Sequence, residues 1–380
     1  MPPRTRISRK AARALASGHP WLLGERVDAP VGAVVELECD GAVVAWGLAD
    51  RGRITVRALG RGEAPRESIE RVIAERVRRA ENVRTRLMDP RTDAFRVVSS
   101  AGDGLPDLIV DRYGELAVIR LYSAAWEPHL DAIVSAVASL PWCTTVGRRL
   151  GVSRVDGGEG LEVLHGPDPA DLLVVHEGDM ALPVRPYVGQ KTGLFLDQRF
   201  HRHLVRGWSA GRLVANLFAY NGGFSVAAAL GGAARVTTVD IAPDAVEDAK
   251  EAFRLNGLDP HEHAFEVADV FEWRPRETVD FLIVDPPALT RGHKADDAAT
   301  RAYRRLHRQL GPFVPRDGLL ATSSCTSRLD LAAWKQVVAE SLAEVGDFSW
   351  HHVSAEPVDH PVALGHAEAH YLKFALLRRR

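Results

Sequence analysis

Hydrophobic and polar positions alternate in short runs near the beginning of the chain. The pairs Asp40-Gly41 and Arg51-Gly52 interrupt these runs, and both are typical of tight turns between strands. Short strands joined by such turns indicate a small β-barrel. The predicted strands span residues 33–38, 43–48 and 54–59.

The next region mixes helix and strand patterns. It opens with a charged helix at 67–86, which ends before Asp89-Pro90 because the position before a proline disfavours helix. The mixture predicts an α+β region. Further strands are predicted at 108–110, 116–121 and 172–176, and a further helix at 129–138.

After about residue 190, strands alternate with helices, which is the pattern of a parallel, doubly wound sheet. The predicted fold class is therefore α/β. We expect a Rossmann-like domain at 188–380, preceded by the β-barrel at 1–68 and the α+β domain at 69–187.

One turn of the last region resembles a nucleotide-binding loop. An apolar strand at 213–217 leads into Phe218-Ala219-Tyr220-Asn221-Gly222-Gly223-Phe224, and an alanine-rich helix follows at 225–230. Glycine lets the backbone N–H groups of a helix N-terminus approach a ligand closely. A turn without a ligand would also use these glycines.

Two acidic residues strengthen the ligand hypothesis. Asp240 ends the next predicted strand, where a carboxylate can accept both ribose hydroxyls of an adenosine cofactor. Asp269 ends the strand after that and precedes Val270-Phe271, which could meet an adenine. The turn lacks the full G-x-G-x-x-G of a pyrophosphate binder, so S-adenosylmethionine is favoured over NAD.

Two further strand ends carry candidate chemistry. A strand at 281–284 stops at Asp285-Pro286-Pro287, and a strand at 319–323 runs into Ser324-Cys325-Thr326-Ser327. A plain turn and a core cysteine are the simpler explanations. If the strands are neighbours, however, their loops flank one pocket. A thiolate that attacks carbon 6 of a pyrimidine activates carbon 5 toward methylation, and a carboxyl group near ring nitrogen 3 supports the charge.

Composition narrows the class of protein. Hydrophobic residues make up 46% of the 380 positions, enough for a full core, and we find neither a membrane-spanning run nor a secretory signal, so the cytoplasm is expected. The three cysteines have no disulfide or zinc spacing, so no metal is predicted. A net charge of −2 argues against binding nucleic acid by charge alone, although basic residues cluster at 4–13 and 66–86.

Three motifs give the chain a resemblance to a known family, the bacterial 5-methylcytosine methyltransferases of 23S ribosomal RNA that carry an N-terminal PUA domain. The motifs are His19-Pro20-Trp21, Asp103-Gly104-Leu105-Pro106-Asp107-Leu108-Ile109-Val110-Asp111-Arg112-Tyr113 and Gly189-Gln190-Lys191-Thr192-Gly193-Leu194-Phe195-Leu196-Asp197-Gln198-Arg199.

The resemblance implies a PUA barrel that docks RNA, a middle domain that shapes the RNA cleft, and a class I methyltransferase domain that uses S-adenosylmethionine. Cys325 would be the nucleophile, and Asp285 would hold the cytosine beside the cofactor. The implied cofactor-binding residues are Phe218, Tyr220, Asn221, Gly222, Gly223, Phe224, Asp240, Asp269, Val270, Asp197, Gln198, Arg199 and Asp285.

The sequence leaves two other functions open. The enzyme could methylate a ring or exocyclic nitrogen, for example of guanine, with Cys325 as a bystander. The chain could also be an inactive RNA-binding assembly factor. The expected partner is 23S ribosomal RNA, no membrane is expected, and a homodimer is among the oligomeric states left open.

Overall fold

A computed structural model describes residues 1–151, 160–189, 191–287, 295–327 and 329–380, with the backbone alone for 295–298. Gln190 of the predicted motif lies outside these residues. The chain forms two compact units, each assembled from separate stretches. Unit 1 comprises Met1–Asp179, Val184–Leu196 and Val358–Ala369, and unit 2 comprises Met180–Pro183, Asp197–Pro357 and His370–Arg380.

The first part of unit 1 is a small, mostly antiparallel sheet. Its elements are β1 (Arg4–Arg6), α1 (Arg9–Ala16), β2 (Trp21–Leu23), β3 (Val34–Cys39), β4 (Ala42–Ala49) and β5 (Ile54–Arg61). The strand order is β1-β3-β4-β5-β2. Asp40 and Gly41 both have positive φ, as a tight turn between β3 and β4 requires. The three predicted strands are confirmed, and closure into a PUA barrel remains a prediction.

The rest of unit 1 packs helices against a second sheet. Its elements are α2 (Ile69–Leu87), β6 (Ala94–Ser99), β7 (Leu108–Tyr113), β8 (Leu116–Leu121), α3 (Leu130–Ala138), β9 (Thr145–Leu150), β10 (Gly160–His165) and β11 (Leu173–Glu177). The next strand along the chain, β12 (Met180–Val184), has its first four residues in unit 2. The sheet order is β10-β9-β8-β7-β6, with a parallel pair between β8 and β9. The predicted helices and strands of this region are present, and the domain boundaries remain predictions.

A buried ion pair stabilises the packing of α2. Arg84 is 1% exposed, and its guanidinium donates to both carboxylate oxygens of Asp103, at 2.6 and 2.7 Å. It also donates to the carbonyl oxygens of Arg96 and Asp359, at 3.1 and 2.9 Å. The charge is therefore both neutralised and fully hydrogen-bonded, which a buried guanidinium needs.

Unit 2 is built on a seven-stranded sheet. Its elements are α4 (Arg199–Gly207), β13 (Leu213–Leu217), α5 (Gly223–Leu230), β14 (Arg235–Asp240), α6 (Pro243–Leu255), β15 (Ala264–Val267), β16 (Phe281–Val284), α7 (Ala295–Leu310), β17 (Leu319–Ser324), α8 (Leu331–Ala343), β18 (Phe348–Ser354) and β19 (Lys373–Arg379). The strands lie in the order β15-β14-β13-β16-β17-β19-β18. The predicted doubly wound α/β domain is confirmed.

The strand order reverses direction beside β13. The chain runs outward through β14 to β15 and then returns to add β16 and β17 on the other side of β13, all in parallel. Strand β19 runs antiparallel to both of its neighbours, β17 and β18. The carboxyl ends of β13 and β16 therefore flank a topological switch point, where open α/β sheets bind ligands.

Helix α5 begins in an unusually tight turn. Gly222 has φ of +78° and precedes a helix whose residues from Gly223 to Ala229 are all buried. A Cβ added at Gly222 would lie 2.7 Å from the Cβ of Ala249 in α6. Glycine is thus required here for both its backbone conformation and its lack of a side chain. The helix starts two residues before the predicted position, because Gly222 ends the turn.

None of the helices among the described residues has the length and apolar character needed to cross a membrane.

We expect Asp103→Ala to lower the free energy of unfolding by about 3–5 kcal/mol, because it leaves the buried Arg84 charge without its partner. Urea denaturation of the full chain measures this. The matched control is Glu75→Ala, which breaks an exposed pair with Arg79 at 2.6 Å and should change stability by less than about 1 kcal/mol. Equal effects of the two substitutions would contradict the assigned role of the buried pair.

We expect Gly222→Ala to lower the melting temperature more than Gly257→Ala. Both glycines have positive φ, but a Cβ at Gly257 meets nothing within 4 Å, so this control carries only the left-handed backbone cost of about 1–2 kcal/mol. Thermal unfolding by circular dichroism compares the variants. Adding Ala249→Gly to Gly222→Ala should restore part of the lost melting temperature. If the second substitution leaves the melting temperature of Gly222→Ala unchanged, the close contact is refuted.

Candidate functional site

The predicted site residues of the strand ends gather at one edge of the unit 2 sheet. Asp240 is the last residue of β14, Asp285 follows β16, and Cys325 follows β17. The Phe218 loop follows β13. Because these strands are parallel, their carboxyl ends share an edge.

The loop at 218–224 has a strained backbone. Phe218 and Tyr220 have φ of +59° and +49°, conformations that non-glycine residues adopt rarely. The Ala219 N–H donates to the Val239 carbonyl at 3.0 Å, and the Asn221 side-chain amide donates to the Pro183 carbonyl at 3.2 Å. These bonds fix the loop in place. Such strain is often found where a backbone must approach a ligand.

The Asp240 carboxylate is oriented before any ligand binds. One oxygen accepts the Tyr220 N–H at 2.8 Å, and the other accepts the Ala242 N–H at 2.9 Å. Each carboxylate oxygen can accept a second hydrogen bond. The side chain is half-buried, so a pair of neighbouring hydroxyl groups could reach both oxygens.

Asp269 lies two residues beyond β15, so the prediction that it ends the strand is wrong. Its Oδ1 accepts the Phe271 N–H at 2.9 Å, and its carbonyl accepts the Trp273 N–H at 2.9 Å. These local bonds turn the backbone out of the sheet. The carboxylate is exposed, Val270 is buried, and the Phe271 ring meets the Phe218 ring edge-on at 6.2 Å.

Asp285 accepts two side-chain donors on the same oxygen. Val284 pairs with Thr322 in the parallel register, which places Asp285 beside Ser323. The Ser323 hydroxyl donates to Asp285 Oδ1, and Gln198 Nε2 donates to the same atom at 3.0 Å. Gln198 is therefore next to the predicted base-binding carboxylate.

Asp197 and Arg199, which flank Gln198 and are also among the implied cofactor-binding residues, are buried. The Tyr371 hydroxyl donates to Asp197 Oδ2 at 2.8 Å. This contact ties the start of α4 to the segment that leads into β19.

Cys325 is half-buried, and a buried ammonium group lies near it. Lys373 is 2% exposed, and its Nζ donates to the carbonyl oxygens of Thr326 and Leu329, the latter at 2.8 Å. Burial lowers the pKa of Lys373 to about 8, and electrostatic interaction with Glu356 and Cys325 opposes that shift. The ammonium thus lies within electrostatic range of the sulfur and could stabilise a thiolate.

Tyr303 of α7 connects the two predicted catalytic residues electrostatically. Burial raises the pKa of Tyr303, and electrostatic interaction with Cys325 and Asp285 raises it further. An interaction with Ser324 opposes the shift, although the two hydroxyls do not meet hydrogen-bond geometry. One hydroxyl group is therefore within electrostatic range of both residues.

Four residues near the site were missed by sequence reasoning. Ser323 was read only as strand, although parallel pairing with the Asp285 strand places it beside that carboxylate. Lys373 could have been noticed in the sequence, because it is the one charged residue at the start of the otherwise apolar run 373–377. His201 and Tyr303 had no such signal, because their contacts join elements that are distant in sequence.

Comparison with known sequences identifies the family. A profile of S-adenosylmethionine-dependent methyltransferases matches residues 107–346. A ribosomal RNA large subunit methyltransferase from Deinococcus radiodurans is 33% identical, covering 99% of this chain and 97% of its own length. A ribosomal RNA large subunit methyltransferase I from Klebsiella pneumoniae is 31% identical, covering 98% and 97%.

Solved structures share the fold. A SAM-dependent methyltransferase from Streptococcus mutans has a TM-score of 0.85 at 22% identity and covers 99% of this chain and 100% of its own. A methyltransferase complexed with SAH has a TM-score of 0.87 at 23% identity, with the same coverage. This chain belongs to the S-adenosylmethionine-dependent methyltransferases, in the family of the ribosomal RNA large subunit methyltransferases, and its cofactor is S-adenosylmethionine.

Proposed function

We propose that the chain methylates carbon 5 of a cytosine in 23S ribosomal RNA, with Cys325 as covalent nucleophile and Asp285 holding the base. The names of the relatives support RNA of the large ribosomal subunit as the substrate. The N-terminal sheet, as a PUA domain within 1–68, would dock the RNA, and the region 69–187 would shape the cleft.

One observation carries the choice of chemistry. Cys325 and Asp285 follow β17 and β16, which are adjacent parallel strands, so both residues lie at the same edge of the sheet. A half-buried thiol beside the Lys373 ammonium has the environment of a reactive cysteine. Methylation of a ring nitrogen would need no sulfur at this place.

The proposed reaction uses the thiolate to activate the ring. Cys325 Sγ forms a bond to carbon 6, and the electrons of the carbon 5–carbon 6 double bond make carbon 5 nucleophilic. Asp285, as a carboxylic acid at the ring nitrogen 3 edge, would donate a proton to that nitrogen and so neutralise the negative charge that develops there. S-adenosylmethionine, when bound, would supply the methyl group to carbon 5 as its methyl–sulfur bond breaks, with S-adenosylhomocysteine as the leaving group. Loss of the carbon 5 proton to a base then restores the double bond and releases the Cys325 sulfur.

The cofactor residues fit S-adenosylmethionine. Asp240 would accept the ribose hydroxyls with its prearranged oxygens, and the exposed Asp269 would accept the adenine amine while Val270 contacts the ring. The loop 218–224 would hold the methionine part. Gly222 lets this loop pack closely against α6, since a Cβ there would lie 2.7 Å from the Cβ of Ala249.

We expect Cys325→Ala to abolish methylation while the affinity for S-adenosylmethionine stays unchanged, because only the covalent step is lost. Nucleoside mass spectrometry of ribosomal RNA treated with each variant measures the product, and calorimetry measures the affinity. Cys143→Ala is the matched control, since burial raises the pKa of that thiol to about 11 and it should be dispensable. Full activity of Cys325→Ala, or a methylated guanine as product, would overturn the proposal.

A covalent adduct can be tested directly with RNA that contains 5-fluorocytidine. Fluorine at carbon 5 cannot leave as a cation, so the parent enzyme should remain bonded to the RNA during denaturing electrophoresis. Cys325→Ala should form no adduct.

We expect Asp240→Asn to weaken S-adenosylmethionine binding by about 10- to 100-fold, the size expected for lost hydrogen bonds to a charged group. Asp244→Asn changes the net charge equally, but its side chain is exposed in the first turn of α6, so its affinity should match the parent. Calorimetric titration compares the two. Parental affinity of Asp240→Asn would exclude the ribose contact.

A further inference from the structure

A chain of hydrogen-bonded side chains leads from β18 to Asp285. His201 Nε2 lies 2.9 Å from the Ser354 hydroxyl, and His201 Nδ1 lies 2.5 Å from Gln198 Oε1. Gln198 Nε2 in turn donates to Asp285 Oδ1 at 3.0 Å. The chain therefore links the last residue of β18, helix α4 and the end of β16 through side chains alone.

The protonation state of His201 fixes the direction of every bond. His201 is fully buried, and burial lowers its pKa to about 3, so the ring is neutral at physiological pH. Gln198 Oε1 can only accept, so Nδ1 carries the proton and donates to it. Nε2 is then the acceptor for the Ser354 hydroxyl. With this tautomer, the Gln198 amide must direct its NH₂ group to Asp285.

Packing holds the histidine ring in this position. The ring is stacked on Phe374 of β19, with 4.2 Å between centroids and 4° between planes. Gln198 is 2% exposed, so water does not compete for its amide. A 180° flip of this amide would place its carbonyl against the Asp285 carboxylate and its NH₂ against the Nδ1 proton. Both contacts would be repulsive.

We propose that His201 is a positioning residue that orients the Asp285 carboxylate through Gln198, with the Ser354 hydroxyl donating to the second ring nitrogen of His201. Ser323 and Gln198 donate to the same oxygen of Asp285, so the plane of the carboxylate is fixed relative to the base it would hold. This inference rests on the proposed role of Asp285 and adds the residues that set its geometry.

The test is a double-mutant cycle between His201→Phe and Gln198→Leu, read as transfer of labelled methyl groups to ribosomal RNA. Phenylalanine keeps a ring against Phe374 but removes both hydrogen bonds. Each single variant should lower kcat/KM by about 10- to 100-fold, as for misplacement of a reacting group. Because both act through one chain, the double variant should be no worse than Gln198→Leu. The affinity of His201→Phe for S-adenosylmethionine should stay within about twofold, since His201 is not among the residues assigned to the cofactor.

Losses that multiply in the double variant, or a cofactor affinity of His201→Phe that falls with its kcat/KM, would show a packing role and overturn the proposal. Ser354→Ala leaves the ring in place and serves as a second variant if His201→Phe does not fold. Ser354→Ala should lower activity, and combining it with Gln198→Leu should cause no further loss. Parental activity of Ser354→Ala would contradict the proposed series of hydrogen bonds. His261→Phe, at an exposed histidine of the same unit, should behave as the parent.

The outcome separates this proposal from the proposed function. The transfer of labelled methyl groups can be measured whichever base accepts them. The double-mutant cycle therefore remains interpretable even if mass spectrometry finds a product other than 5-methylcytosine. Parental activity of Asp285→Asn would overturn both proposals together. Activity lost in Asp285→Asn with multiplying losses in the cycle would overturn only the positioning role.

Discussion

The parallel register between β16 and β17 is the constraint on which the candidate site depends. Pairing of Val284 with Thr322 places Asp285 beside Ser323 and brings the Cys325 loop to the same edge. A shift of one residue would turn the hydroxyl of Ser323 to the other face of the sheet. The register is held by burial on both faces, since every residue from Phe281 to Val284 and from Leu319 to Ser324 is buried.

His201 and Lys373 are buried near this edge and are stabilised in different ways. His201 is neutral and makes two side-chain hydrogen bonds, which avoids the large desolvation cost of an imidazolium ion in a buried position. Lys373 instead keeps an ammonium group in a buried position. Two carbonyl oxygens accept hydrogen bonds from it, and electrostatic interaction with Glu356 and Cys325 favours its charge. A buried charge retained in this way is compatible with the proposed role of Cys325 as the nucleophile.

The motif at 189–199 divides between two structural roles. In unit 1, the Thr192 hydroxyl donates to Asp111 Oδ2 at 2.7 Å and accepts from the Tyr113 hydroxyl at 2.7 Å, and the Leu194 N–H donates to Tyr113 at 3.1 Å. This part of the motif fastens its segment to β7. In unit 2, Gln198 reaches Asp285. A continuous run of motif residues thus combines a structural anchor with a contact in the candidate site.

The sequence by itself determined the class of the last domain and many of the individual strands and helices, because period and turn chemistry are local. The strands at 213–217 and 281–284 and the glycine turn between β13 and α5 were predicted in place. Residues that end strands, such as Asp240, Asp285 and Cys325, could also be predicted, since parallel strands present their carboxyl ends together.

The tertiary structure alone decided the contacts between distant segments. Gln198 and Asp285 are 87 positions apart, and His201 and Ser354 are 153 apart, so no local pattern links them. The placement of β19 between β17 and β18 brought Lys373 to the Cys325 loop. These contacts arise from the order in which strands pack, and that order is set by burial across the whole sheet rather than by neighbouring residues.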